Sequence, residues 1–76
     1  MRVVIARVHE NMFAGDALSL AVPTTSGDVV ILPHHEPYVA TLKHGTVTVT
    51  DAAGAHSFEV EGGVLEVSNN QATVLL

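Results

Sequence analysis

Apolar and polar residues alternate with a period of two along most of this 76-residue chain, the pattern of strands with one buried and one solvated face. Thr46-Val47-Thr48-Val49-Thr50 sets valines against threonine hydroxyls, and Ser57-Phe58-Glu59-Val60-Glu61 sends Phe58 and Val60 inward. Leu18, Leu20 and Val22 share one face, Val3 and Ile5 share another with Arg7, and Ala72 to Leu76 alternates once more. Val29 to Leu32 and Val64 to Val67 are shorter, more continuously apolar runs. Turn-forming residues separate these segments at Thr24-Thr25-Ser26-Gly27-Asp28, Lys43-His44-Gly45, Asp51-Ala52-Ala53-Gly54 and Ser68-Asn69-Asn70-Gln71. No window of helical length carries a 3.6-residue stripe. His9 to Asp16 has mixed character, and Gly15 favours a turn there over a helix. The pattern predicts an all-β fold, a small flattened antiparallel sandwich or barrel of about 8–10 short strands, in one domain spanning residues 1–76.

Composition sharpens that picture. Apolar residues make up 47% of the chain and charged residues 14%, which argues for a packed core and against disorder. Aromatics supply only 4%, so Val, Leu, Ile and Ala must build the core. A domain this small buries only about 60% of the surface its unfolded chain exposes, so its margin of stability is slim. The formal charge is −5 and the fixed cations are Arg2, Arg7 and Lys43. That leaves no basic face for nucleic acid or for an anionic membrane surface. With no cysteine, disulfides and thiolate zinc sites are excluded. The amino-terminal Met1 to Arg7 run is too short for a signal sequence, and no run spans a bilayer. The chain reads as soluble and intracellular.

Candidate chemistry is sparse. The five histidines are densest at His34-His35-Glu36, and His9, His44 and His56 would have to converge there to make a metal site. Adjacent strand residues point to opposite faces, which works against His34 and His35 sharing an ion. Read singly, the histidines are solvated or hydrogen-bonded loop residues. A stand-alone module binding a metal or small ligand through this loop is the alternative reading. Glu59 and Glu61 lie on one strand face as its solvated side, and nothing supplies the cleft that paired carboxylates need for acid–base work. No motif sets a nucleophile beside a base, so no catalytic residue is assigned. Gly62-Gly63 asks for positive φ, a bulge or a close second backbone. Pro33 and Pro37 stiffen the loop between them, which suits recognition.

Two runs carry a family resemblance across nearly the whole chain. Gly27-Asp28-Val29-Val30-Ile31-Leu32-Pro33-His34-His35-Glu36-Pro37, followed by Leu42-Lys43-His44-Gly45, is the first. The second is Gly62-Gly63-Val64-Leu65-Glu66-Val67, then Asn69 or Asn70, then Thr73-Val74-Leu75. Together with the Phe13, Gly15 and Asp16-Ala17 spacing near the amino end, these resemble the N-terminal β-sandwich domain of the epsilon subunit of F-type ATP synthase. Two glycines of the family pattern are replaced, one by Val30 and the other, in Pro-Gly-His, by His34. Positive φ at either position would carry strain.

The resemblance implies a non-catalytic rotor subunit of a proton- or sodium-translocating synthase, bound to gamma and to the c-ring and coupling ion flow to ATP synthesis. It implies gamma contacts at His35, Leu42, Lys43 and Thr46, and c-ring contacts at Gly27 and Asp28. Pro33, Pro37, Gly45, Gly62, Gly63 and Glu66 would be structural motif residues. No cofactor, metal, nucleic acid or membrane insertion is implied. The expected location is peripheral, at the cytoplasmic face of the bacterial inner membrane. Family members continue past Thr-Val-Leu into two regulatory helices. This sequence stops at Leu76, so the resemblance implies the coupling part without that brake and without ATP binding.

Overall fold

The computed structural model describes residues 1–76. Nine strands run in chain order: β1 (Arg2–Arg7), β2 (Glu10–Asp16), β3 (Ser19–Thr24), β4 (Gly27–Ile31), β5 (Tyr38–Leu42), β6 (Gly45–Asp51), β7 (Gly54–Val60), β8 (Gly63–Ser68) and β9 (Gln71–Leu75). Five of them lie in the order β2-β1-β9-β8-β5, and β3 then connects to β6-β7 on one side and β4 on the other. The two groups meet at a single bridge, Thr24 opposite Leu42. The Lys43 N–H donates to the Pro23 carbonyl (2.9 Å) and the Thr25 N–H to the Thr41 carbonyl (3.0 Å) beside it. The result is a curled sandwich of 26 × 24 × 20 Å. It is antiparallel as expected except between β1 and β9, which pair in parallel.

The core follows from the alternation. Val3 and Ile5 of β1, Leu65 and Val67 of β8, and Ala72 and Val74 of β9 face Leu20 and Val22 of β3, Ile31 of β4 and Val47 and Val49 of β6 in one buried cluster. Four hairpins close through two-residue loops, which fix the register of the strands they join. In the β8–β9 loop both central residues are left-handed, Asn69 at φ 51° and Asn70 at φ 58°, a conformation asparagine adopts more readily than most side chains. At the β3–β4 loop the buried Thr24 hydroxyl donates to the Gly27 carbonyl (2.6 Å) and accepts the Ser26 N–H.

Three expectations change. The stretch read as a turn near Gly15 is strand β2, and a bulge between Ile5 and Ala6 offsets its pairing with β1. Such an extra residue breaks the two-residue period that would have revealed the strand. Strand β5 alternates only weakly, with Val39 exposed and Leu42 buried, and had no clear signal. Leu18 lies just outside β3 and is 60% exposed rather than inward-facing. Within the apolar run Val29 to Leu32, Val30 and Leu32 point to solvent.

Candidate functional site

The strand pairings gather the loops at two opposite ends. One end holds Val8-His9, Thr25-Ser26, Lys43-His44 and Glu61-Gly62; the other holds Ala17-Leu18, the Leu32 to Pro37 loop, Ala52-Ala53 and Asn69-Asn70. A strand of five to seven residues, at ~3.3 Å per residue, sets them roughly 20 Å apart.

At the first end, Asp28 and Lys43 line one open groove of about 330 Å³ with Pro23, Val30, His44 and Thr46. Gly27 begins β4 at φ 124°, which frees the tight hairpin that carries Asp28 to its rim. Neither Asp28 nor Lys43 takes part in an ion pair within the chain. Both charges therefore remain available to a partner. The Thr46 hydroxyl donates to Glu59 Oε1 (2.6 Å) across the β6–β7 pair. Leu42 is 3% exposed, so its side chain belongs to the core and any contact here falls to its neighbours. Gly45 packs under the Pro23 ring, where an added Cβ would lie 3.0 Å from two ring carbons.

The same end contains the glycine corner. Gly62 and Gly63 adopt φ 153° and 146°, and a Cβ on Gly63 would stand 2.5 Å from the Leu75 carbonyl oxygen. Of the three alternatives raised for this pair, positive φ and a close second backbone are both present. Glu66 is exposed on β8, between Val39 of β5 and Thr73 of β9.

His35 sits at the second end. Its N–H donates to the Leu32 carbonyl (3.2 Å), closing a turn with Pro33 and His34 at the centre. His34 has φ 65°. Proline followed by a left-handed residue is the signature of a type II turn, which normally takes glycine in the second place. The strain anticipated for the missing glycine is present at His34, at a cost of about 1–2 kcal/mol. Val30 carries none, because it lies in extended β4. His35 Nδ1 is 2.7 Å from the Glu36 carbonyl, which places a proton on Nδ1. Its ring lies against Tyr38, centroids 5.7 Å apart. The two prolines thus bracket a loop whose histidine is oriented from several sides.

Nearby, Asp51 caps the β6–β7 hairpin. Its Oδ1 accepts the N–H groups of Ala53 (2.9 Å) and Gly54 (3.1 Å), and its Oδ2 lies 3.1 Å from His56 Nε2. Partial desolvation works against ionisation, but the Ala53 amide, the His56 contact and the Gly54 amide outweigh it and hold the carboxyl below its usual range. No group of three or more His, Asp or Glu side chains is arranged to hold a metal ion.

The structure therefore separates residues that the resemblance grouped. Lys43 and Thr46, expected to share a partner surface with His35, lie instead in the groove with Asp28. It also adds residues that had not been singled out. Val64 and Leu75 are paired neighbours on the outer face of the five-stranded layer, both exposed, and Val39 is exposed on the adjoining β5. The alternation that buries Leu65 already placed Val64 outside, and only the pairing of β8 with β9 shows that Leu75 joins it.

The model of the family described as the ATP synthase delta/epsilon chain, beta-sandwich domain, matches residues 1–76. The chain belongs to this family. An ATP synthase epsilon chain 2 from Burkholderia orbicola is 42% identical over 77 residues, covering 99% of this chain and 51% of the relative. An ATP synthase epsilon chain from Delftia acidovorans is 38% identical over 76 residues, covering 99% of this chain and 55% of its own length. The chain thus spans about half the length of the curated relatives it matches. A chain in the Euglena gracilis mitochondrial ATP synthase structure of OSCP, F1 and c-ring superposes with a TM-score of 0.88 at 20% identity, over 96% of this chain and 48% of that one. A chain from the central stalk and c-ring of the Tetrahymena thermophila mitochondrial enzyme gives 0.82 at 15% identity, over 97% and 60%. At these identities the superpositions establish a shared fold. No helix in the structure is long and apolar enough to cross a membrane.

Proposed function

We propose that residues 1–76 act as one domain, the coupling part of an epsilon-type subunit in the central stalk of a proton- or sodium-translocating F-type ATP synthase. The observation that carries the reading is the family match across all 76 residues. In this role the chain makes and breaks no bonds. It transmits torque by staying rigid while bound to gamma and to the c-ring loops, peripheral to the membrane on its cytoplasmic face.

The two ends divide the work. The Gly27-Asp28 hairpin and its groove, with Lys43 and Thr46, face the c-ring, where an unpaired carboxylate suits basic loop side chains through steering and selectivity. The His35 loop faces gamma, and exposed Val39, two residues past Pro37, extends the same surface with apolar area. The rigid turn lowers the entropy lost when gamma binds. Lys43 and Thr46 move from the gamma set to the c-ring set because they share the groove with Asp28.

Calorimetric titration of the purified chain with a bacterial gamma subunit tests this. The account expects one-to-one binding, weakened roughly tenfold by His35→Ala and little by Asp28→Ala. Absence of binding at high micromolar concentration contradicts it.

A further inference from the structure

The Asn70 side chain does something that its place in a hairpin loop does not require. Its Oδ1 accepts the His34 N–H at 2.8 Å, across 36 residues of sequence. Its own backbone is left-handed at φ 58° and its carbonyl accepts the Arg2 N–H (3.2 Å). One residue therefore ties the β8–β9 loop to β1 and to the turn that presents His35.

The bond reaches the one amide that matters for the turn's type. In types I and II the end residues are held alike, by the bond that here joins the His35 N–H to the Leu32 carbonyl. The two types differ in the orientation of the peptide between the central residues, here Pro33 and His34. Reversing that peptide carries the His34 N–H to the opposite side and returns His34 to negative φ, which a side chain prefers. An acceptor fixed beside the His34 N–H selects the type II form and offsets the strain that glycine would have avoided. His35 follows directly in the chain, so its ring direction depends on that choice.

We infer that Asn70 is a positioning residue for the His35 loop, holding His34 left-handed by accepting its N–H and so setting how His35 meets its partner. The part concerning the partner rests on the proposed binding to gamma; the part concerning the turn does not.

Three variants of the intact chain separate the roles of Asn70. Asn70→Gly keeps the left-handed backbone but removes the acceptor, Asn70→Asp keeps an acceptor oxygen, and His34→Gly removes the strain. Nuclear magnetic resonance couplings that report φ, together with amide exchange, read the turn without any partner. Asn70→Gly is expected to shift His34 toward negative φ and speed its amide exchange several-fold, while Asn70→Asp restores both. Binding to gamma, read by calorimetry, should weaken roughly fivefold in Asn70→Gly, recover in Asn70→Asp, and be little affected by Asn70→Gly in a His34→Gly background. A His34 that stays left-handed with unchanged exchange in Asn70→Gly overturns the inference. So does a turn that flips while affinity for gamma stays at the wild-type value. If the wild-type chain does not bind gamma, the functional proposal falls, and the couplings alone still decide whether Asn70 holds the turn.

Discussion

The corner at Gly62-Gly63 and the loop from Pro33 to Pro37 sit at opposite ends of the same sandwich and become rigid by opposite means. The corner depends on atoms that are absent. Two backbones approach until a single Cβ on Gly63 would overlap the Leu75 carbonyl. The loop depends on contacts that are added, with a proline at each end, the Asn70 amide on His34, and the Tyr38 ring beside His35. Position by position, then, a gain of atoms breaks the corner, whereas a loss of contacts loosens the loop. The loop holds a left-handed His34 whose N–H the Asn70 side chain accepts.

The largest effect should come from Gly63→Ala. Overlap with backbone at 2.5 Å and φ 146° together predict a loss of about 3 kcal/mol, measurable as a lower urea midpoint with an unchanged slope. For a chain this small that is a large share of the total. Gly62→Ala meets the Leu42 carbonyl oxygen at a tolerable 3.4 Å and carries the φ penalty alone, so about 1 kcal/mol is expected in the same assay. The contrast between the two neighbours tests whether close approach, rather than conformation, dominates the corner. In the loop the sign reverses. His34→Gly relieves left-handed strain but frees the unfolded chain, leaving a net gain of up to about 1 kcal/mol.

The smallest effect concerns acid. Asp51, at the loop's end of the molecule, is held ionised in the fold, so the unfolded chain binds its proton more readily. Its stabilising contribution is complete above its unfolded value of 3.8 and is lost as pH falls through the lower folded value. Urea midpoints should therefore fall on acidification below about pH 4, and Asp51→Asn should flatten part of that slope. An unchanged slope would remove Asp51 from the contacts that secure this end.

How much of this could be read from the sequence follows the same division. Local signals were clear. Alternation marked β1, β3, β6, β7 and β9, short apolar runs marked β4 and β8, the four turn clusters fell where the chain reverses or changes strand, and the glycine pair announced its corner. The replaced glycine at His34 pointed to a strained φ that is present. What stayed hidden was non-local. The bulge near Ile5 disrupted the period of β2, and the parallel pairing of β1 with β9 joins the two ends of the chain. Nothing in the sequence linked Asn70 to His34, or placed Lys43 across a groove from Asp28. Such pairings arise from curling the sheet, which no periodicity encodes.

The two-ended division of labour is tested most directly by site-specific cross-linking. The chain has no cysteine, so Asp28→Cys and His35→Cys each introduce one unambiguous attachment point in the assembled synthase. The account predicts that position 28 cross-links to the c-ring and position 35 to gamma, with rotation-coupled ATP synthesis retained in both, because the linked parts turn together. Cross-links from both positions to the same subunit, or from neither to gamma or the c-ring, would contradict it.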